Sequence, residues 1–382
     1  MARRQGRKLK RTTKETERVV LVGVRAGRSH DVWSLKDSLV ELGELAKSAG
    51  ANVQGSMFQR IAKPTQIYLG TGKLQQLKDR LSRGDIDTVI CDDELTPTQQ
   101  RNLEQELGEN IKVIDRTALI LDVFSQRARS REGRLQVDLA QHQYLLPRLQ
   151  GQWTHLERQS GGIGTRGPGE TQIETDRRLI RNRIQKTKKE LESVRRHRSH
   201  YRSRRQNQDI PVIGLVGYTN AGKSTLLNAL TKTETLIENR LFSTLDPLTR
   251  RLRFVSGREA LLTDTVGFIQ KLPTLLVAAF RATLEEIQDS TMILQVVDIS
   301  HPNAPEQTEI VDSLLHTLGL DGKPKIMVFN KVDRVSKFQV ESNAATNLLH
   351  IGDQVFTSAL SGVGLQRLLS IVDNNLGNIT PN

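Results

Sequence analysis

Cysteine is nearly absent from this sequence, and its scarcity excludes whole classes of structure. The 382 residues include one cysteine, Cys91, so the chain can form no internal disulfide and no cysteine-based zinc site. We therefore expect a protein of a reducing compartment, the cytoplasm. A chain of this length is sufficient for two or three domains, each with its own core.

Long apolar runs are also missing. The longest candidates, such as LLVAAF at residues 275–280, fall far short of the roughly 20 residues that span a bilayer. We expect no membrane span, so that any association with a membrane would be peripheral. The N-terminus is basic and lacks the apolar region of a signal peptide, and we predict a disordered basic arm over residues 1–18.

Acidic residues are outnumbered, and the imbalance is local. The chain has 56 Lys and Arg against 43 Asp and Glu, a net charge of +13. Residues 1–18 hold eight Lys/Arg and two Glu, and residues 177–205 hold thirteen Lys/Arg and two Glu. Such segments suit a polyanion, because neutralising phosphates releases counterions. A solvated surface that only aids solubility is the alternative, but runs this one-sided favour nucleic acid.

The apolar pattern divides the chain into segments. Over residues 19–117, the stretches RVVLVGV, IYLG, DTVIC and IKVI alternate with helical ones and predict an N-terminal α/β domain. Residues 118–206 predict a helical hairpin resembling a coiled coil. Residues 207–372, which open on the apolar IPVIGLVG, predict a doubly wound phosphate-loop domain, and residues 373–382 a C-terminal tail. GTGK at residues 70–73 is too short to indicate a second phosphate loop and predicts a strand-to-helix turn.

The predicted hairpin carries a glycine-rich tip. Five glycines in RQSGGIGTRGPGET, residues 158–171, leave no room for regular structure. Arg158 and Arg166 would suit contact with RNA phosphates, and a linker without a role is an equal alternative. Pro147 predicts a kink or early stop in the first helix. The apolar seams comprise Leu135, Leu139, His142, Leu146 and Leu149 on the first helix, and Ile173, Arg177, Ile180, Ile184, Thr187, Leu191 and Val194 on the second.

A phosphate loop begins the third segment. GYTNAGKS follows an apolar strand and precedes the helical stretch STLLNAL, which is the context that this motif requires. Backbone N–H groups of the loop would hold phosphates, the Lys223 ammonium would reach their oxygens, and the Ser224 hydroxyl would bind Mg²⁺. The candidate nucleotide-binding residues here are Gly217, Tyr218, Thr219, Asn220, Ala221, Gly222, Lys223, Ser224 and Thr225.

The base is indicated by NKVD at residues 330–333. The Asp333 carboxylate can accept hydrogen bonds from two donors of guanine that adenine does not offer. Asn330 can pair with the acceptor edge of the base, and the stem of Lys331 can lie against the ring. Because this motif follows a phosphate loop in the expected order, we predict that the nucleotide is GTP.

Further residues complete the predicted site. Asp264 and Gly267 belong to the motif DTVG, and Thr244 lies in the first switch segment, where its hydroxyl could bind Mg²⁺. Thr249 is a competing candidate for that role. After the strand QVF, the segment SAL brings Ser358 and Ala359, whose N–H could meet the guanine carbonyl. We expect Lys223 and the Gly267 N–H to support catalysis.

Phe268 occupies the position where many GTP-hydrolysing domains carry a glutamine. A glutamine amide can orient the attacking water, and a phenyl ring cannot. The position therefore predicts slow intrinsic turnover and dependence on a partner. The alternative is that Phe268 is a core residue and hydrolysis is absent.

These motifs together resemble the HflX family of ribosome-associated GTPases. The resemblance rests on GYTNAGKST, FSTLDP, DTVGF, NKVD and the long WTHLERQSGGIGTRGPGETQIETDRR, and it extends into GTGKLQQL and LTPTQQRNLE. It implies a GTPase that binds the large ribosomal subunit, splits intact ribosomes and acts in recovery from stress. It also implies that the ribosome triggers hydrolysis, that the glycine-rich tip approaches the peptidyl transferase centre, and that an apolar residue at position 268 is a family trait.

Some expectations remain open at this stage. Related GTPases with an asparagine at the position of Asn220 can use a bound K⁺, and a neutral loop residue is the alternative. We expect a monomer. The rival functions are a ribosome-assembly GTPase that acts on precursor particles and an RNA-binding or anti-association factor that holds nucleotide without hydrolysing it.

Overall fold

The structure is a computed structural model that describes residues 16–27, 33–108, 110–150, 168–206, 210–233, 241–242, 244–273, 275–276, 286–335 and 353–378. Two α/β domains, each with its own sheet, are connected by a pair of packed helices. The predicted fold class, an α/β chain with a helical middle region and a doubly wound phosphate-loop domain, is confirmed.

The first domain is a four-stranded parallel sheet in the order β2-β1-β3-β4. Along β1, Val19 and Leu21 pack with one apolar cluster, whereas Val20 and Val22 pack with another on the opposite face. Because strand side chains alternate between faces, this continuous apolar run requires helices on both sides. The elements are β1 (Arg18–Ala26), α1 (Leu35–Ser48), β2 (Asn52–Ile61), α2 (Thr71–Leu81), β3 (Thr88–Cys91), α3 (Pro97–Leu107), β4 (Lys112–Asp115) and α4 (Arg116–Arg127).

One predicted strand of this domain is wrong. IYLG is not a strand; Tyr68 takes a left-handed φ of 71°, which interrupts extended backbone, and Gly70 precedes the first turn of α2. The strand that the sequence analysis missed is β2, which lies at the edge of the sheet. Along β2, exposed residues alternate with half-buried ones. The polar composition of β2 gave no apolar strand pattern to recognise, because an edge strand needs little apolar surface.

The middle region comprises α5 (Arg131–Leu145) and α6 (Pro168–Gln206), which pack side by side. As Pro147 predicted, α5 ends before that residue. Its buried side chains Val137, Ala140 and Tyr144 join the core of the first domain. The predicted seam residues of α5 are half-buried. Asp138, on the same side, accepts a hydrogen bond of 3.0 Å from Thr187 of α6.

The predicted seam of α6 is partly borne out. Ile184, Thr187 and Leu191 are buried, whereas Ile180 and Val194 are half-buried. The prediction that the glycines up to residue 169 exclude regular structure is wrong at its C-terminal end, because α6 begins at Pro168. Proline suits the first position of a helix, where its missing N–H has no partner to lose. The rest of the glycine-rich tip, up to residue 167, lies outside the described residues.

The ends of the chain differ from the expected boundaries. Residues 1–15 of the expected basic arm lie outside the described residues. Arg18 already belongs to β1, where its guanidinium pairs with Asp87. The last helix, α9, covers Leu365–Asn378 and continues past residue 372, where a tail was expected. Among the described residues, no helix is long and apolar enough to cross a membrane.

The second sheet has six strands in the order β10-β9-β8-β5-β7-β6, and all neighbours are parallel except β6 and β7. Ligand sites in such sheets lie beyond the carboxyl ends of the strands, where the strand order reverses. The elements are β5 (Val212–Gly217), α7 (Lys223–Thr231), β6 (Leu248–Arg253), β7 (Glu259–Asp264), β8 (Met292–Asp298), α8 (Ala304–Thr317), β9 (Lys325–Asn330), β10 (Gln354–Phe356) and α9.

The two domains share an apolar core. Phe124 of α4 meets Phe242 of the first switch edge to face, with ring centroids 4.5 Å apart. Trp33, before α1, stacks on Tyr218 of the phosphate loop at 5.8 Å. The first domain therefore packs directly on segments that border the nucleotide site.

Candidate functional site

The phosphate loop connects β5 to α7 and depends on glycine at its end. Gly222 has a φ of 96°, and a β-carbon there would lie 2.3 Å from the Asn330 side-chain amide. At the start of the loop, a β-carbon on Gly217 would lie 2.2 Å from the Val296 carbonyl oxygen. Only glycine satisfies both the backbone conformation and the close approach. The loop therefore brings the helix N-terminus against the residues of the NKVD motif.

Lys223 is buried at the start of α7. Its ammonium donates hydrogen bonds to the carbonyl oxygens of Gly217, at 3.0 Å, and Tyr218, at 2.9 Å. Burial lowers the pKa of Lys223 to about 8, an effect that the nearby Asp264 carboxylate partly opposes. An anion would strongly stabilise the charged form of this buried ammonium, since phosphate oxygens would replace the solvation that burial removes.

Three oxygen-bearing side chains meet beside the loop. The Ser224 hydroxyl donates to Asp264 Oδ2 at 2.6 Å, and the Thr244 hydroxyl donates to the same oxygen at 2.9 Å. The two hydroxyl oxygens are 2.8 Å apart. Burial raises the pKa of Asp264, against the lowering effect of Lys223. The competing candidate Thr249 lies in β6, where its hydroxyl is 2.9 Å from that of Thr263.

This arrangement fits Mg²⁺ bound together with a nucleotide. Hydroxyl and carboxylate oxygens are the ligands that Mg²⁺ prefers, and phosphates supply the remainder of its coordination. Among the described residues no group of three or more His, Cys, Asp or Glu side chains could hold a metal ion. The buried Thr219 hydroxyl, which lines the adjoining cavity, has no hydrogen-bond partner among the described residues.

Phe268 is a core residue, which was one half of the alternative interpretation; the other half, absence of hydrolysis, does not follow from its burial. Its side chain is 1 % exposed and belongs to the core shared by the two domains. Its backbone lies along the phosphate loop, since its N–H donates to the Gly217 carbonyl at 3.1 Å and its carbonyl accepts from Thr219 N–H at 2.7 Å. Gly267 approaches the loop so closely that a β-carbon would lie 3.0 Å from the Lys223 ammonium.

The predicted base-binding residues lie at the other end of the site. Asn330 is buried and connects two loops, because its amide nitrogen donates to the Ala221 carbonyl and its oxygen accepts from Ala359 N–H, both at 3.0 Å. The Lys331 ammonium donates to the Asn220 carbonyl at 2.7 Å and to Asp298 at 2.6 Å. The Asp333 side chain is exposed at the edge of the cavity.

A cavity of about 390 Å³ runs between these groups. Five of the predicted site residues do not line it: Gly217, Tyr218, Ala221, Asp264 and Ser358. The Tyr218 side chain points instead into the contact with the first domain. Four residues that line the cavity were not predicted, namely Phe242, Thr265, Arg334 and Leu360. Three of them, Thr265, Arg334 and Leu360, directly follow a predicted site residue in the sequence.

The chain matches known protein families along most of its length. Residues 36–125 match the family described as GTP-binding GTPase N-terminal, residues 127–205 the GTP-binding GTPase Middle Region, and residues 212–331 the 50S ribosome-binding GTPase family. Among solved structures, a GTP-binding protein from Sulfolobus solfataricus in complex with GDP is 25% identical, with a TM-score of 0.47, and the match covers 95% of this chain and 100% of that one.

Curated relatives agree with these matches. GTPase HflX of Caldanaerobacter subterraneus subsp. tengcongensis is 46% identical over 364 residues, which is 95% of this chain and 81% of the relative. GTPase HflX of Escherichia coli is 42% identical over 361 residues, 94% of this chain and 83% of the relative. With the phosphate loop and the NKVD residues assembled around one cavity, identity at this level over nearly the whole chain shows that the protein belongs to the HflX family of GTPases.

Proposed function

We propose that this GTPase binds the large ribosomal subunit and splits or rescues ribosomes under stress, with its hydrolysis triggered by the ribosome. The observation that carries the proposal is the burial of Phe268. Among the described residues that line the cavity there is no glutamine, and the position after Gly267 holds a buried phenyl ring that cannot orient water. A partner would therefore supply the missing orientation.

The charge of α6 supports an RNA partner. The segment 177–205, with thirteen Lys/Arg, lies entirely within this helix, and Lys186, Lys188 and Lys189 are exposed. A rigid cationic helix can follow a phosphate backbone with little loss of conformational freedom. The family described as 50S ribosome-binding GTPase matches residues 212–331 of the nucleotide domain, which agrees with ribosomal RNA as that partner. The glycine-rich tip that α6 follows would then approach the peptidyl transferase centre.

For the nucleotide, we assign roles from the geometry. The loop from Gly217 to Thr225 would hold the phosphates, and Ser224 and Thr244 would hold Mg²⁺, which neutralises charge on the β- and γ-phosphates when bound. Lys223 and the Gly267 N–H would stabilise the charge that develops on the transferred phosphoryl group. Asp333 would accept hydrogen bonds from guanine, while Asn330 would hold the Ala359 loop beside it.

Asn220 carries a separate proposal, a K⁺ site beside the phosphates. Asn220 has a left-handed φ of 61° and its carbonyl accepts a hydrogen bond from Lys331, so its side chain is presented at the cavity by a fixed backbone. Hydrolysis should then be faster in KCl than in NaCl at equal ionic strength. Equal rates would remove this proposal, and Asn220→Ala should abolish any difference.

The proposed function is tested by measuring GTP hydrolysis with and without large subunits or intact ribosomes. We expect strong stimulation by both, and dissociation of intact ribosomes into subunits, followed by light scattering, when GTP is present. Ser224→Ala is the control for turnover by contaminants. Stimulation by precursor particles but not by mature subunits would replace the proposal with a role in assembly. No stimulation by any particle would overturn partner-triggered hydrolysis.

A further inference from the structure

Outside the nucleotide cavity, a closed path of buried polar contacts connects three parts of the chain. It joins the phosphate loop, the first domain and the segment that follows Gly267. The contacts involve Tyr218, Glu41, Arg116, Asp92, Lys271 and Gln270. None of these residues lines the nucleotide cavity, so their side chains would act on a bound nucleotide through the backbone segments that they hold.

Tyr218 forms one side of the path. Its hydroxyl accepts a hydrogen bond from the Gln270 backbone N–H at 2.7 Å and donates to a carboxylate oxygen of Glu41. Burial and the neighbouring Glu41 carboxylate raise the pKa of Tyr218 far above its usual value, so the hydroxyl keeps its proton and can fill both roles. Trp33 covers one face of the ring. A single rotamer is therefore held by packing and by two hydrogen bonds.

Lys271 forms the other side. Its ammonium lies 2.6 Å from Asp92 Oδ2 and 2.5 Å from Asp93 Oδ1, both at the end of β3 in the first domain. Arg116 joins the two sides, because its guanidinium contacts Asp92 at 2.8 Å and also pairs with Glu41. Lys271 itself takes a left-handed φ of 52°. A non-glycine residue holds this conformation only where its surroundings impose it.

The path therefore holds residues 270 and 271 from two directions, three residues after Gly267, and the inference rests on the role proposed above for the Gly267 N–H. Gly267 lacks a side chain that could position it, and Phe268 is held, within the described part of the chain, by its buried ring and by two backbone hydrogen bonds to the phosphate loop. Small displacements of a group that stabilises developing charge reduce a reaction rate much more than they reduce binding of the ground state.

We propose that Tyr218 is a positioning residue for GTP hydrolysis: through Gln270 N–H and Glu41 it holds the Gly267–Lys271 segment, and with it the Gly267 N–H, in the arrangement that hydrolysis requires. The role belongs to the intrinsic reaction of the enzyme and does not depend on a ribosome. Lys271 supports the same segment through the two aspartates. The first domain thereby contributes to hydrolysis without touching the nucleotide.

The test is Tyr218→Phe, which keeps the ring and removes only the hydroxyl. We expect the intrinsic kcat for GTP to fall about tenfold, while the Kd for GDP stays within about twofold of the parent value. Amide hydrogen exchange should rise in peptides that cover residues 267–271 and stay unchanged in α7. Tyr144→Phe, which removes another buried tyrosine hydroxyl from α5, is the matched control and should leave kcat and exchange in residues 267–271 unchanged.

Lys271→Met provides an independent variant. It should lower kcat in the same way, and the double variant should lose less than the product of the two single effects, since both residues hold one segment. An unchanged kcat in Tyr218→Phe would overturn the proposal. A fall in kcat matched by an equal loss of GDP affinity would overturn it as well, because Tyr218 would then shape the nucleotide site instead of the segment after Gly267.

Discussion

At the scale of single residues, the protonation of Lys223 couples nucleotide binding to pH. The ammonium is buried against two carbonyl oxygens, and this burial lowers its pKa to about 8. Phosphate oxygens would favour the charged form and raise the pKa again. Above pH 8 the free protein has partly lost this proton, so binding must take it up.

We therefore predict that the affinity for GDP is nearly constant up to about pH 7, falls about twofold by pH 8, and then falls by up to about tenfold per pH unit above pH 8. Isothermal titration calorimetry in two buffers of different ionisation enthalpy should show uptake of up to one proton per GDP at pH 9, and much less at pH 7.5. An affinity that stays flat up to pH 10 would contradict the low pKa of Lys223.

At the scale of secondary-structure elements, the first switch is attached to the start of α5. The Asp246 carboxylate accepts hydrogen bonds from the backbone N–H groups of Arg129, at 2.9 Å, and Ser130, at 2.7 Å, and from the Ser130 hydroxyl. An anion at a helix N-terminus interacts favourably with the unpaired N–H groups and with the helix dipole. Since Asp246 is close in sequence to Thr244, this contact helps to position the Thr244 hydroxyl.

Replacing Asp246 with alanine should lower the free energy of unfolding by about 1 kcal/mol. It should also raise the Mg²⁺ concentration that gives half the maximal rate of hydrolysis, because the segment that carries Thr244 loses its contact with α5. Chemical denaturation and Mg²⁺ titrations of the initial rate measure the two effects. Asp79→Ala is the control, since Asp79 accepts a hydrogen bond from Gln75 within α2 of the first domain. If both variants shift the Mg²⁺ titration equally, the contact has no specific role at the metal.

At the scale of the whole molecule, charge and nucleotide binding are separated in space. The cationic residues of α6 lie on the helical middle region, while the nucleotide cavity is formed by the second domain. Partner binding and nucleotide binding can therefore be altered independently, although the shared core and the contacts of Asp246 connect them.

Substituting Lys186, Lys188 and Lys189 with glutamine should weaken binding to large ribosomal subunits and reduce the slope of log K against log salt by up to about three, about one for each lost phosphate contact. The affinity for GDP should not change. A triple variant of Lys47, Lys78 and Lys112, which lie in the first domain, removes the same charge and is the control. Equal weakening in both variants would show that only net charge matters.

Much of the nucleotide site could be predicted from the sequence, because its parts are short segments in which local geometry and chemistry go together. A glycine loop between an apolar strand and a helix has few alternatives, and NKVD after another apolar strand carries its own chemistry. Strand β1 and the end of α5 before Pro147 could also be predicted, since both follow from the backbone preferences of residues adjacent in the sequence.

The tertiary structure alone decided the relations between distant segments. Thr244 and Thr249 are chemically equivalent in the sequence, and only the register of β6 on β7 places Thr249 away from Ser224. The edge strand β2 escaped detection because its position in the sheet, not its composition, makes it a strand. The contacts of Tyr218 with Glu41 and Gln270 span residues far apart in the chain, and no local pattern reports such contacts. The sequence by itself determined the chemistry and the family of this protein, whereas packing between the two domains determined which groups hold the site in place.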